Sequence, residues 1–510
     1  MKTLISVLLM SFLCDMHASV SHADSKNKAK VRKPSVAGQF YPSDPEKLAK
    51  AIDGYLGEAV RPSEDRPIAI VSPHAGYIFS GQIAADAYKQ ASKHDYDLVV
   101  ILGVNHTTAE FQDVSIYPGS GFETPLGVAV VDEELAETLV AADKRFTFDE
   151  SVHTREHSIE VQLPFIQRIF PEAKILPVIV ATSDPILCAK FGEALAKAIE
   201  GRKALIVASS DLSHFPEYAD AERVDRRTLE AMSTLDTAVL RSATSEQMSE
   251  GVANLGTCAC GESPVIAAMA AARKLGATGA RIISYANSGD TSVGDRTRVV
   301  GYGAVAFVVG KDSDNLSAFP MPKTTGGVTL TENEKTALLS FARKTIQRYL
   351  ATETTPLARG FDPALEHDKG AFVTLRKNGD LRGCIGHMAQ DMPLCQVVGY
   401  CALQAAFNDQ RFSPVEPGEL GDIEIEISVL TPYQRVDGYD DIQIGRDGVL
   451  MEKNGRSAVF LPSVAVEQGW NREETLSHLS AKAGLPPDAW KKDATFYTFR
   501  AIAFRESELH

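Results

Sequence analysis

Four short apolar runs recur through the first half of the chain, at 67–72, 97–102, 174–180 and 203–209. They lack polar–apolar alternation, so both faces of each must be covered, the pattern of a parallel sheet buried between helices. Helical patterns lie between them. Over 187–199, for example, Leu187, Phe191, Ala194, Leu195 and Ala198 fall on one face. The expected fold is α/β, three layers around a mostly parallel sheet. Ligands of such open sheets bind just beyond the carboxyl ends of the strands. Three of the four runs end there in a polar, histidine-bearing segment: Ser72-Pro73-His74-Ala75-Gly76-Tyr77, Gly103-Val104-Asn105-His106, and Ser209-Ser210-Asp211-Leu212-Ser213-His214.

A lone histidine is more often a satisfied core residue than a ligand. Three at equivalent topological positions are harder to assign to packing, and they point to a metal or acid–base site. Cys260 is a fourth candidate. It precedes an apolar helical stretch at 264–274, and a helix start favours a thiolate. Inert burial is the alternative for it and for Cys258. Asp211 either orients His214 or bonds its own backbone in a turn. His153-Thr154-Arg155-Glu156-His157 spells H-x-x-E-H, a zinc-hydrolase pattern with Glu156 as base and a distant carboxylate such as Glu230 as further ligand. Against it, the pattern straddles the start of the helix expected over 157–169.

Among 510 residues, 67 Asp and Glu outweigh 52 Lys and Arg, a net charge of −15. That balance argues against sequence-independent nucleic-acid binding, which needs clustered cations. Lys2, the apolar run 4–13 and the small residues Ser21 and Ala23 read as a signal peptide over 1–23, hence export to the periplasm or beyond. Without cleavage the location is cytoplasmic. No later segment reads as a membrane span. Six cysteines follow Asp24, and most are expected to be buried thiols in a chain this large. The polar stretch 24–34 is expected to be a disordered lead-in to a domain at 35–310.

Residues 311–328 are rich in Ser, Pro, Gly and charge, as a linker is. A capping box, Thr331 with Glu334, then opens a helix. Strand-like runs at 371–375, 423–430, 448–451 and 458–461 alternate with helical patterns at 393–406 and 473–484. This is a separate α+β domain, 329–510. Within it, Leu381-Arg382-Gly383-Cys384-Ile385-Gly386 follows a turn at 378–380. Arg382 could bind an anion, and Cys384 could be a nucleophile or a buried thiol. Asp409 and Arg411 are expected to form a structural ion pair.

The stretches VRKPSVAGQFYPSDPEKL, SPHAGYIFSG, ILGVNHT, TPLGVAVVD, EHSIEVQLPF, ASSDLSHF and CGESPV, in order from about 31 to 309, resemble the Memo family. That family is the B component of the AmmeMemoRadiSam system, with a fold like the class III (LigB-type) extradiol dioxygenases. GAFVTL, LRGCIG, AAFNDQRFSP, EIEISVLTP and GWNREETLSHLSAKAGL resemble the AMMECR family, the A component. The resemblance implies a metal site of His74, His106 and Cys260, with Asp211 and His214 as catalytic residues. His157, Glu160, Tyr77 and Asn105 are implied as supporting or substrate contacts. Cys260 stands where the dioxygenases have a carboxylate, which puts ring cleavage in doubt. Two imidazoles and a thiolate favour iron(II), copper or zinc over Mg or Ca. The expected function is a metal-dependent, oxygenase-like redox protein acting on a small molecule or peptide, with a radical-SAM protein as partner; no C-x3-C-x2-C motif occurs in this chain. The alternatives are a non-catalytic metal- or peptide-binding module and zinc hydrolysis through His153, Glu156 and His157.

Overall fold

A computed structural model describes residues 30–310 and 330–508. The expected signal peptide, the start of the lead-in and the linker lie outside the described residues. The first region is built on an eight-stranded sheet. Its order is Gly279–Asn287, Gly301–Val308, Pro67–Ser72, Ala204–Ser209, Leu98–Gly103, Lys174–Val180, Val114–Ile116 and Phe146–Thr147. The four strands seen as apolar runs form its parallel centre, and antiparallel strands flank them.

Those four strands are buried on both faces because two apolar cores, one on each side of the sheet, cover them. One core takes Leu187, Phe191 and Leu195 from helix Pro185–Ala198 together with Val265 and Met269 from helix Glu262–Lys274. The other takes Leu48, Ile52 and Tyr55 from helix Pro45–Glu58 with Ile83 and Tyr88 from helix Tyr77–Ala91. Asp44 and Asp184 start two of these helices by accepting from the backbone N–H groups of Lys47 and Ile186.

The lead-in departs from expectation at its end. Val31–Arg32 is a strand parallel to Gly121–Thr124. Arg32 is buried, donating Nη1 to Glu160 at 2.5 Å and Nε to the His153 carbonyl at 2.8 Å. A polar, basic composition suggested solvent. A buried carboxylate waiting elsewhere in the fold drew this arginine inward.

The second region is a separate α+β unit. One antiparallel sheet runs Asp380–His387, Ala371–Lys377, Ile423–Leu430, Ala501–Arg505 and packs on helices Glu332–Thr352 and Leu394–Phe407. The other runs Gln434–Val436, Thr495–Phe499, Gly448–Lys453, Arg456–Phe460. The capping box forms as read: Thr331 Oγ1 accepts from the Glu334 N–H, and Glu334 accepts from the Thr331 N–H. Asn378 and Gly379, both at positive φ, make the hairpin turn between the first two strands. All six described cysteines are free thiols, and Cys188, Cys258, Cys395 and Cys401 are buried. Among the described residues no helix is long and apolar enough to cross a membrane.

Candidate metal centre

His74, His106 and His214 follow the ends of three neighbouring parallel strands, and the sheet brings their segments together. The His74 ring lies 5.2 Å from that of His106 and 5.5 Å from that of His157, while His106 and His157 stack at 4.6 Å. Donor atoms of His74, His106 and His157 lie within 4.8 Å of one another, as do those of His74, Asp211 and Cys260. The expected trio of His74, His106 and Cys260 is therefore spread over two groups that share His74.

Two glycines make this convergence possible. A Cβ on Gly261 would stand 2.4 Å from the Ser209 carbonyl oxygen, so only glycine lets the Cys260 loop close onto the end of strand Ala204–Ser209. A Cβ on Gly103 would meet Ser158 Oγ and Ile159 at 2.7 Å, so glycine there admits the segment carrying Glu156 and His157.

His74 and His106 are each oriented through Nδ1. Ser209 donates its hydroxyl to the Ser158 carbonyl at 2.6 Å, and the Gln162 amide donates to Ser209 Oγ at 2.8 Å. With its one proton committed, Ser209 Oγ can only accept from His74 Nδ1, 2.9 Å away. His74 Nε2 thus keeps its lone pair and accepts the Cys260 thiol at 3.3 Å. His106 Nδ1 lies 2.9 Å from Glu156 Oε1. Burial pushes the Glu156 carboxyl up. The bond from His106 and the N–H groups of His106 and Ser158 outweigh it and hold the group at about 2. Glu156 is therefore a carboxylate, and His106 Nδ1 is the donor. A ligating histidine commonly gives its other N–H to such an acceptor.

Burial, followed by the neighbouring imidazoles His106 and His157, lowers the His74 pKa well below its usual range. Burial, then Asp211, raises the Cys260 thiol. A neutral His74 imidazole and a protonated Cys260 thiol are the resting state. A divalent cation reverses that balance by deprotonating the thiol, so the donor set fits a soft or borderline metal. Asp211 Oδ1 accepts from the His74 N–H at 2.8 Å, and burial raises its carboxyl against the pull of His214. Among the described residues, His214 Nε2 is buried with no hydrogen-bond partner.

Other expected contacts go elsewhere. Glu160 accepts from Arg32, the N–H groups of Ser35 and Val36, and the Tyr41 hydroxyl; it ties down the N-terminal segment instead of meeting a substrate. Tyr77 donates to the Val161 carbonyl at 2.8 Å. Asn105 is consumed by its own turn, accepting from the Thr107 and Thr108 N–H groups and donating to the Thr108 carbonyl. The H-x-x-E-H residues do not share a helix face, because helix Ser151–Thr154 ends between them. His153 turns to Ser115 Oγ at 3.1 Å and packs against Tyr117, and it joins neither donor group. Sequence reasoning does not identify Ser209 and Glu156 as the groups that hold the imidazoles. Their only signal was a polar residue closing an apolar strand and an acid beside a histidine.

In the second region, Arg382 pairs with Glu419, Nη2 to Oε1 at 2.6 Å, while among the described residues its buried Nη1 has no hydrogen-bond partner. Arg411 grips Asp409 at 2.7 and 2.9 Å, and Asp409 accepts from the Cys384 N–H at 2.9 Å. Thr374 donates to Cys384 Sγ at 3.3 Å, and burial raises that thiol, which disfavours a thiolate nucleophile.

A family model described as Memo-like protein matches residues 32–306, and one described as AMMECR1 matches 339–504. A MEMO1 family protein of Aquifex aeolicus (strain VF5) is 38% identical over 284 residues, 55% of this chain and 100% of the relative. One of Nitrosopumilus maritimus (strain SCM1) is 36% identical over 284 residues, 54% of this chain and 100% of the relative. The solved uncharacterized protein PH0010 from Pyrococcus horikoshii is 36% identical, covering 35% of this chain and 93% of that one, at a TM-score of 0.34.

Proposed function

We propose a function from the premise that this chain belongs to the Memo-like protein family and carries an AMMECR1 domain after it: it is a metal-dependent redox protein of an AmmeMemoRadiSam-type system. The observation that carries this reading is the pair of imidazoles, His74 and His106, whose outer nitrogens are committed to Ser209 and Glu156. A pocket that served only by its shape would not need that commitment. His74, His106 and Cys260 would hold the ion, with His157 and Asp211 as further donors within reach. Iron(II) or copper bound there supplies one-electron chemistry, whereas zinc would supply Lewis-acid chemistry alone.

The chain's own residues do the rest. His214, with Nε2 unpartnered, takes a proton from a bound substrate hydroxyl. Burial lowers the His214 pKa, and the charge of Asp211 opposes that lowering and stabilises the imidazolium that results. The substrate is a small molecule or peptide, a radical-SAM protein is the expected partner, and the site of action is outside the cytoplasm. Protein purified without oxygen and assayed by elemental analysis should carry near-stoichiometric iron or copper. A His74→Ala, His106→Ala double variant should lose it. Zinc retained in that variant would overturn the assignment, and a protein with no metal in either form would favour a binding module.

A further inference from the structure

The loop that joins the last two strands of the large sheet, 288–300, is held from two sides. On its inner side it meets the segment that follows His214. The Phe215 N–H donates to the Val299 carbonyl at 2.7 Å, and the Tyr218 N–H to the Arg296 carbonyl at 3.0 Å. Tyr218 also donates its hydroxyl to Asp290 at 2.6 Å, and the Arg296 guanidinium lies 3.5 Å over the Tyr218 ring. On its outer side the same loop meets the C-terminal domain. Gln396, on helix Leu394–Phe407, donates to the same Asp290 oxygen at 3.1 Å. Arg296 Nη1 donates to the Asp391 carbonyl at 2.7 Å. Gly399 lets that helix approach so closely that a Cβ there would stand 2.8 Å from Ser292 Oγ.

The segment gripped by this loop is strained. Phe215, directly after His214, sits at φ 79°, a region that a bulky side chain rarely adopts. Such a residue is unfavourable by itself and persists only where its surroundings over-determine it. Here the backbone of His214 and Phe215 is bonded on both flanks, to Thr257 and Gly256 on one and to Val299 on the other.

We infer that the C-terminal domain is a positioning element of the candidate metal site: helix Leu394–Phe407 and the Asp391 carbonyl buttress loop 288–300 and so hold the strained corner that sets His214. This rests on the placement of His214 in that site. Two domains with separate cores then share one mechanical element, and Asp290 and Arg296 are the residues that meet both.

The test is hydrogen exchange on the full chain, read by mass spectrometry. Gln396→Glu keeps the shape of the side chain but sets a carboxylate against Asp290. Exchange should quicken about tenfold in peptides covering 288–300 and 211–218, with strand Ile423–Leu430 unchanged. Adding Asp290→Asn removes the repulsion and should restore the slow exchange. Bound metal should stay at its original level, because no donor is touched. Exchange in 211–218 that does not respond, or that Asp290→Asn does not restore, overturns the inference. Failure of the metal reading would appear separately, as metal content indifferent to His74→Ala and His106→Ala.

Discussion

At the scale of single residues, the candidate centre depends on groups one shell out from the metal donors. Ser209 has one proton and spends it on Ser158, and that choice decides which nitrogen of His74 is free. Ser209→Ala should lower metal affinity roughly 10–100-fold while leaving every ligand in place, measured by competition with a chromophoric chelator. Asp225 tests burial behind the centre, where it accepts from the Ser213 N–H at 2.8 Å. Burial, against bonds from Ser213 and Tyr285, raises its carboxyl to about 7 from an ordinary value of 3.8. The native state then binds this proton more tightly than the unfolded chain does. Its stabilising effect is complete below about pH 4 and is lost as pH rises towards 7. Asp225→Asn should therefore raise the melting temperature by roughly 2–4 °C or more at pH 8 and by little at pH 4. An equal gain at both would show that the carboxyl is not raised.

At the scale of elements, close approach separates legible features from illegible ones. Thr331 with Glu334 could be read because a capping box is local, and its helix begins where the pair predicts. The strand at 423–430 could be read because Ile423, Ile425, Ile427 and Val429 alternate with Glu424, Glu426 and Ser428. The break within His153–His157 was only half legible. Helix Ser151–Thr154 is one turn long, and just beyond its end Glu156 accepts from the His106 N–H at 2.7 Å, a contact 50 positions away in the chain. Gly261 stands just before helix Glu262–Lys274, and no local pattern shows that a Cβ there would meet the Ser209 carbonyl oxygen at 2.4 Å. Gly261→Ala should cost about 1–3 kcal/mol in denaturant titration, as overpacking does. It should also weaken metal retention, because the Cys260 loop must move away from His74. Stability lost with metal retained would uncouple that loop from the site.

At the scale of the whole molecule, the two domains meet through charge placed deep in the first. Asp86 is wholly buried, and Arg359 of the C-terminal domain donates to both its oxygens, at 2.6 and 3.0 Å. Arg348 reaches Glu58 at 2.9 Å and lies 4.2 Å over the Tyr55 ring. Removing one partner of a buried pair typically costs about 3–5 kcal/mol. Arg359 keeps some solvent contact, so Arg359→Ala should fall towards the lower end. Calorimetry of the full chain should then show the unfolding of the two domains drawing apart. A single unshifted transition would mean that Asp86 finds other partners and that the interface contributes little.

The amino-acid sequence by itself determined the parallel centre of the large sheet, the separate second domain and the histidines at the strand ends. Those depend on local periodicity and on where apolar runs stop. Only the tertiary structure decided which atoms face one another. It paired Arg32 with Glu160 across 128 positions, gave Tyr77 and Asn105 to backbone groups, and split the metal donors into two sets around His74. The reason is physical. A buried polar atom must find a partner wherever the packed chain offers one, and distance along the sequence does not enter that choice.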